Sequence, residues 1–219
     1  MMGNMVYHIL NRANGRMQIF EKEKDYVAFE NILIEAKEKF PMRILAYCIM
    51  PNHWHFVLYP KRDNDLSFFM RWLTLTHTQR WLAHRKMVGY GHLYQGRYKS
   101  FPVQKDDHFL TLCRYVERNA LRAKLVARAE DWRWSSAWVR AHGNEKQLKL
   151  LSPWPVPMPN DYTMGLNETY LHEEAVLDDI RGAVQRGKPF GDEVWVQKTV
   201  KSLGLESTLN PRGRPRKGT

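Results

Sequence analysis

Two short runs, "RILAYCIM" (43–50) and "HWHFVLY" (53–59), separated only by Pro51 and Asn52, constrain this chain more than any other feature. Both are rich in β-formers, and the break between them is made of turn-formers, so together they predict an antiparallel hairpin. A strand alternates its side chains between faces. His53 and His55 therefore share one face, while Trp54 enters the opposite layer. The residues around the hairpin predict the rest of the sheet. "MVYHILNR" (5–12) alternates as a strand and ends in turn chemistry at Ala13-Asn14-Gly15. "DYVAFENILIEAKEKF" (25–40) has apolar residues at helical spacing, with Asp25 as its expected N-cap and Pro41 after its end. A second helical pattern runs over 66–86, and an alternating segment follows over 93–103. The stretch beginning at Asp106 carries a helical stripe of Phe109, Leu112, Cys113, Val116 and Ala120. The order β-α-β-β-α-β-α predicts an α+β, ferredoxin-like (RRM-like) fold, an antiparallel sheet with helices on one face.

The pattern changes after "EDWRWSSAW" (130–138). Four prolines in "SPWPVPMPN" (152–160) mark an extended connector. The expected organisation is a catalytic domain over 1–150, a Pro-rich linker over 151–160, a helical appendage over 161–205 and a basic tail over 206–219. Within the appendage, two short helices are expected to meet at "RGKPFG". Trp132 and Trp134 read as packing anchors. No apolar stretch reaches membrane-span length and the first residues lack a signal-peptide pattern, so the expectation is a cytoplasmic protein with no membrane contact. Cys48 and Cys113 lie in apolar segments without CxxC spacing and read as buried reduced thiols.

The formal net charge is +11, which points to a polyanionic partner. Between Leu66 and Arg128 there are 12 Lys and Arg against three Asp and Glu, with Tyr90, Tyr94 and Tyr98 interleaved. Solvated helix faces would explain any one of these cations; together they favour a nucleic-acid surface. Arg12, Arg97, Lys99, Arg118 and Arg122 are the expected phosphate contacts, because guanidinium geometry matches phosphate oxygens. Tyr98, between Arg97 and Lys99, belongs to a DNA-contacting strand on this reading. The tail "PRGRPRK" offers Arg212 and Arg214 for a narrow minor groove, or as a nonspecific electrostatic arm. His8, His77, His84, His92 and His108 have no partner at ligand spacing and read as surface or satisfied core residues.

Paired imidazoles on one strand face admit two readings: polar residues on an exposed sheet, or two ligands of a divalent metal. Tyr115 and Asn119 are four apart and so share a helix face. Packed beside the histidine strand, Asn119 would supply a third, oxygen ligand and Tyr115 would lie next to the metal. That set suits phosphodiester transesterification. A tyrosine hydroxyl, ordinarily protonated below pH of about 10, needs a cation or base nearby to act as a nucleophile. The metal, Mg²⁺ or Mn²⁺, would polarise a phosphate oxygen.

"IMPNHWHFVL" resembles the HUH motif, and "RYVERNALRAKLV" with "EDWRWSS" resembles the tyrosine helix and following segment of single-tyrosine HUH transposases. The nearest resemblance is to the REP-associated tyrosine transposases, over about 7–138. It implies cleavage of single-stranded DNA beside an imperfect palindromic hairpin, the REP element with a tetranucleotide at its 5′ foot, through a 5′-phosphotyrosine. His53 and His55 match the ligands, Tyr115 the nucleophile and Asn119 the polar third ligand. The resemblance further implies a monomer whose appendage covers the site. Two departures stand out: Ala120 replaces a proline, and Lys124 replaces a glycine and adds a candidate phosphate contact. Two other functions remain open: a non-catalytic hairpin-binding protein derived from a transposase, and an RRM-like RNA binder.

Overall fold

The computed structural model describes residues 1–89, 91–169 and 173–210. Its sheet contains β1 (Val6–Arg12), β2 (Arg43–Met50), β3 (His53–Tyr59) and β4 (Lys99–Val103) in the order β2-β3-β1-β4. Every neighbouring pair is antiparallel. The connections are α1 (Glu23–Lys39) between β1 and β2, and α2 (Asp65–His84) between β3 and β4. This is the expected ferredoxin-like arrangement, with the hairpin strands bounded as their residue pattern predicts. The last strand is shorter than its alternation, beginning only at Lys99.

The strands are buried along nearly their whole length, as befits a sheet covered on both faces. On one face Ile9, Trp54, Phe56 and Leu58 meet Phe29 and Leu33 of α1 and Phe69 and Leu73 of α2. On the other, Val6, Val57, Phe101 and Val103 meet Phe109, Leu112, Cys113 and Val116 of α3 (Asp107–Glu117). The two crossover helices do share a face. α3, whose apolar stripe requires an apolar surface, finds it on the sheet's second side. Cys48 and Cys113 are free and buried, as expected.

Two local readings also change. α1 starts at Glu23, so Asp25 is not its N-cap; its carboxylate accepts from the amides of Glu21 and Lys22, 2.9 and 3.0 Å away. The helix expected to run past Tyr115 breaks at Arg118 and resumes as α4 (Asn119–Arg122). The Asn119 side chain donates to the carbonyls of Tyr115 and Val116. A short amide that bonds backbone carbonyls locally competes with the helical ladder.

The chain then passes through α5 (Ser136–His142), α6 (Glu145–Leu148) and α7 (Tyr162–Gly165) to the appendage helices α8 (Glu173–Arg186) and α9 (Glu193–Leu203). Trp132 donates to the Ile49 carbonyl and Trp134 is buried, so both are packing anchors. The outer edge of β2 is met by Ser135 at Cys48 and by the Ser152 amide at Ile44. The outer edge of β4 is met by Phe190, whose amide donates to Pro102 and whose carbonyl accepts from Gln104. Among the described residues, no helix is long and apolar enough to cross a membrane.

Candidate active site

β3 presents His53 and His55 to the α3 side of the sheet, and β1 presents His8 and Leu10 beside them: Leu10 is opposite His55 and His8 opposite Val57. The two β3 rings lie 5.1 Å apart between centroids. Each is held through Nδ1. His53 Nδ1 is 2.6 Å from Asn52 Oδ1, and His55 Nδ1 is 2.9 Å from His8 Nε2. Both rings line a cavity of about 640 Å³, so Nε2 is the nitrogen each has left for it.

Burial keeps these imidazoles neutral. His8 is lowered to about 3 by desolvation alone, and His53 to about 4 by desolvation with the Arg12 cation adding to it. His55 lies well below the ordinary histidine value, through desolvation first and then its neighbours His8 and His53. A neutral ring is the form that binds a metal.

α3 brings Tyr115 to the same cavity, its ring centroid 5.8 Å from that of His55 and 6.2 Å from that of His8. The Arg122 guanidinium stacks 4.4 Å from the tyrosine ring centre and donates to the Tyr115 carbonyl at 2.8 Å. It also donates to Asn119 Oδ1 at 2.9 Å. α3 is in turn anchored by Glu117, which is fully buried and bonded to Ser136, Arg140 and Tyr162. The tyrosine thus projects from a helix fixed two residues further on.

Among the described residues, no group of three or more His, Cys, Asp or Glu is placed to hold a metal. The cavity is lined instead by two neutral imidazoles and by Asn119, whose amide oxygen is a candidate third donor. That oxygen has a second lone pair beyond the one Arg122 uses. Two nitrogens and an oxygen fit a divalent cation such as Mg²⁺ or Mn²⁺.

The expected phosphate contacts separate into groups. Arg12 lines the cavity, its Nε buried and without a hydrogen-bond partner among the described residues, and Arg97 and Lys99 stand exposed at its margin. Tyr98 alternates away from them and packs against the α1/α2 core, its hydroxyl bonded to Ser67. Arg118 does not face the histidines. It is 5% exposed, bonded to the carbonyls of Leu166 and Glu168 and paired with Glu173 at 3.1 Å. It lines a second cavity of about 380 Å³ between α3 and the appendage, of which Tyr115 and Arg122 also form walls. Lys124 is exposed and stands at φ 57°, the left-handed conformation that glycine adopts freely. Arg212 and Arg214 lie outside the described residues.

Two parts of the site went unread in the sequence. His8 has no partner at ligand spacing, but alternation along "VYHILNR" places it on the face of Val6 and Leu10, and the expected strand order places that face beside His55. The other part is α8, which supplies Arg181, Val184 and Gln185 to the histidine cavity. No local signal marks that contact.

A family profile described as "Transposase IS200 like" matches residues 1–119. Among solved structures, the chain is similar to one described as the REP-associated tyrosine transposase bound to a REP hairpin. The TM-score is 0.52 and the identity 20%, over 78% of this chain and 94% of that one. It is more loosely similar to a crystal structure from Deinococcus radiodurans R1 assigned as a transposase, at TM-score 0.40 and 18% identity, covering 55% of this chain and 85% of the other. No curated protein matches the chain.

Proposed function

The chain belongs to the IS200-like transposase family, and from that premise we propose that it cuts and rejoins single-stranded DNA with Tyr115 as its nucleophile. The observation that carries this reading is the convergence of Tyr115, His53, His55 and Asn119 on one basic cavity.

In the reaction, the Tyr115 oxygen attacks a backbone phosphorus as its proton passes to solvent. The bond from phosphorus to the 3′ oxygen breaks, and that oxygen takes up a proton and departs as a 3′ hydroxyl. The 5′ phosphate remains on Tyr115. Because the linkage keeps the phosphodiester's energy, a second 3′ hydroxyl can reverse the step without ATP. His53, His55 and Asn119 would hold the divalent cation, which when bound supplies Lewis-acid polarisation of a non-bridging phosphate oxygen. Arg12, which lines the same cavity, brings a guanidinium to that phosphate, where charge grows in the transition state. Arg122 fixes the tyrosine ring through its face and its carbonyl, so the hydroxyl is positioned before the strand arrives. Arg97 and Lys99 guide the strand across the cavity margin.

The substrate we assign is single-stranded DNA beside an imperfect palindromic hairpin of the REP type, with a tetranucleotide at its 5′ foot. The chain acts on it as a monomer. Family membership and the surplus of cations over 66–128 support this assignment. Arg212 and Arg214 add nonspecific attraction to duplex. The α8 side chains over the histidine cavity make the appendage a gate to the cutting site.

A denaturing gel tests the reading: purified protein with a labelled single-stranded palindrome carrying a 5′ extension, with and without Mg²⁺ or Mn²⁺, beside Tyr115→Phe. The expected result is a metal-dependent, heat-stable protein-DNA band that disappears in the variant, with hairpin binding on native gels unchanged. Hairpin binding without any such band would favour the non-catalytic protein, a reading that draws on the coverage of the cavity by α8.

A further inference from the structure

The hydrogen bond between His8 and His55 has a direction, and that direction decides whether His55 can bind a cation at all. Both rings are buried, at 1% and 3% exposure, and their nitrogens are 2.9 Å apart. Two neutral rings facing each other this way hold a single proton between Nε2 of His8 and Nδ1 of His55. If His8 donates it, His55 accepts at Nδ1, so the one N–H of the neutral His55 ring is on Nε2 and closes the lone pair that faces the cavity. With His55 donating, Nε2 is open.

On the proposed reading of the site, we infer that His8 is a positioning residue that accepts from His55 Nδ1–H and so fixes His55 in its ligating tautomer. The other histidine provides the internal comparison. His53 Nδ1 is paired with an amide oxygen, Asn52 Oδ1, which only accepts. Its proton must therefore be on Nδ1, leaving Nε2 free. The hairpin turn supplies the acceptor for one ring and the neighbouring strand supplies it for the other. A purely structural role fits His8 poorly. Its neighbours on the same strand face, Val6 and Leu10, are apolar, and an imidazole buried among them costs more desolvation than an aliphatic side chain unless its hydrogen bond is used. Among the described residues, the hydrogen-bond partner of His8 is His55. Partners of this kind commonly change metal affinity by about 10–100-fold.

Two measurements on the full chain test this. In the first, Mn²⁺ binding is followed by the electron paramagnetic resonance of the free ion for wild type, His8→Leu, His8→Gln and His53→Ala. His8→Leu is expected to weaken Mn²⁺ binding by about 10-fold or more. His8→Gln, whose amide oxygen can accept, should recover most of that loss, and hairpin affinity should be unchanged in both. Undiminished Mn²⁺ affinity in a folded His8→Leu overturns the inference, as does a loss that His8→Gln does not repair. In the second, nitrogen-15 imidazole shifts of the metal-free wild type report the tautomer whether or not the variants fold. Nδ1–H on His55 is the expected state, and Nε2–H overturns the inference. Failure of the underlying site reading looks different: wild type and His53→Ala would then bind Mn²⁺ equally poorly.

Discussion

The two faces of the sheet both bury an imidazole, and they treat it in opposite ways. Under α1 and α2, His77 is 3% exposed, stacked on Phe20 and edge-on to Phe29. Its Nδ1 is 2.6 Å from the Tyr94 hydroxyl, which in turn accepts from Trp54 Nε1 at 2.9 Å. That chain of bonds ends inside the core, among Phe20, Phe29 and Trp54. On the α3 face, the Nδ1 atoms are taken by Asn52 and His8, and the remaining nitrogens are left to an open space beside a tyrosine. Burial and neutrality are common to both faces, so neither distinguishes a working histidine from a structural one. What distinguishes them is where the second nitrogen leads.

Adjacent residues on β3 give the largest effects that sharpen this contrast. His53→Ala is expected to cut covalent adduct formation by roughly 100-fold or more while leaving unfolding little changed. Trp54→Ala should do the reverse, costing about 3–5 kcal/mol in denaturant unfolding but sparing the adduct at temperatures where the protein stays folded. Equal effects of the two on both readouts would break the contrast.

The next effect is on pH dependence. Desolvation lowers His77 from 6.5 to about 3, so the unfolded chain takes up the proton first, and stability falls as pH drops from 6.5 toward that value. His77→Gln should flatten the fall by up to about 1.4 kcal/mol per pH unit, measured by urea unfolding between neutral and mildly acidic pH. An unchanged slope would mean that the α1/α2 face does not hold its imidazole neutral.

Smaller effects concern the cover over the α3 face. Glu173→Gln removes the carboxylate that holds Arg118 and should raise the cutting rate about fivefold, in line with the ~1 kcal/mol of an ion pair; a rate at or below wild type would argue against α8 as a gate. The smallest change is Lys124→Gly. Relief of the left-handed backbone should stabilise the chain by about 0.5–1 kcal/mol, with a single-stranded DNA affinity that also shows whether the lysine touches phosphate.

The sequence was most legible where structure is local. Alternation through "HWHFVLY" separates His53 and His55 from Trp54, and the four-residue step from Tyr115 to Asn119 brings both to one cavity even though the helix breaks between them. The break itself was hidden, because it depends on the Asn119 amide taking carbonyls that a regular helix would use. Arg118 shows the limit of reading charge by position. Three residues after Tyr115, its position in the sequence suggests a phosphate contact, yet the carbonyls and carboxylate that engage it come from about 50 residues away. His8 was legible in principle, since strand alternation and strand order together put it beside His55. Sequence spacing alone does not reveal it, because the two histidines are 47 residues apart.

Both outer strands of the sheet have backbone groups taken by the chain itself, β2 by the segments around Ser135 and Ser152, β4 by Phe190. An open edge is the template on which a second chain adds a strand, whether in assembly or in aggregation. Here Phe190 of the appendage meets one margin, and the segments at Ser135 and Ser152 meet the other. Strand addition at these positions is therefore blocked, so a partner cannot join the sheet there by backbone pairing.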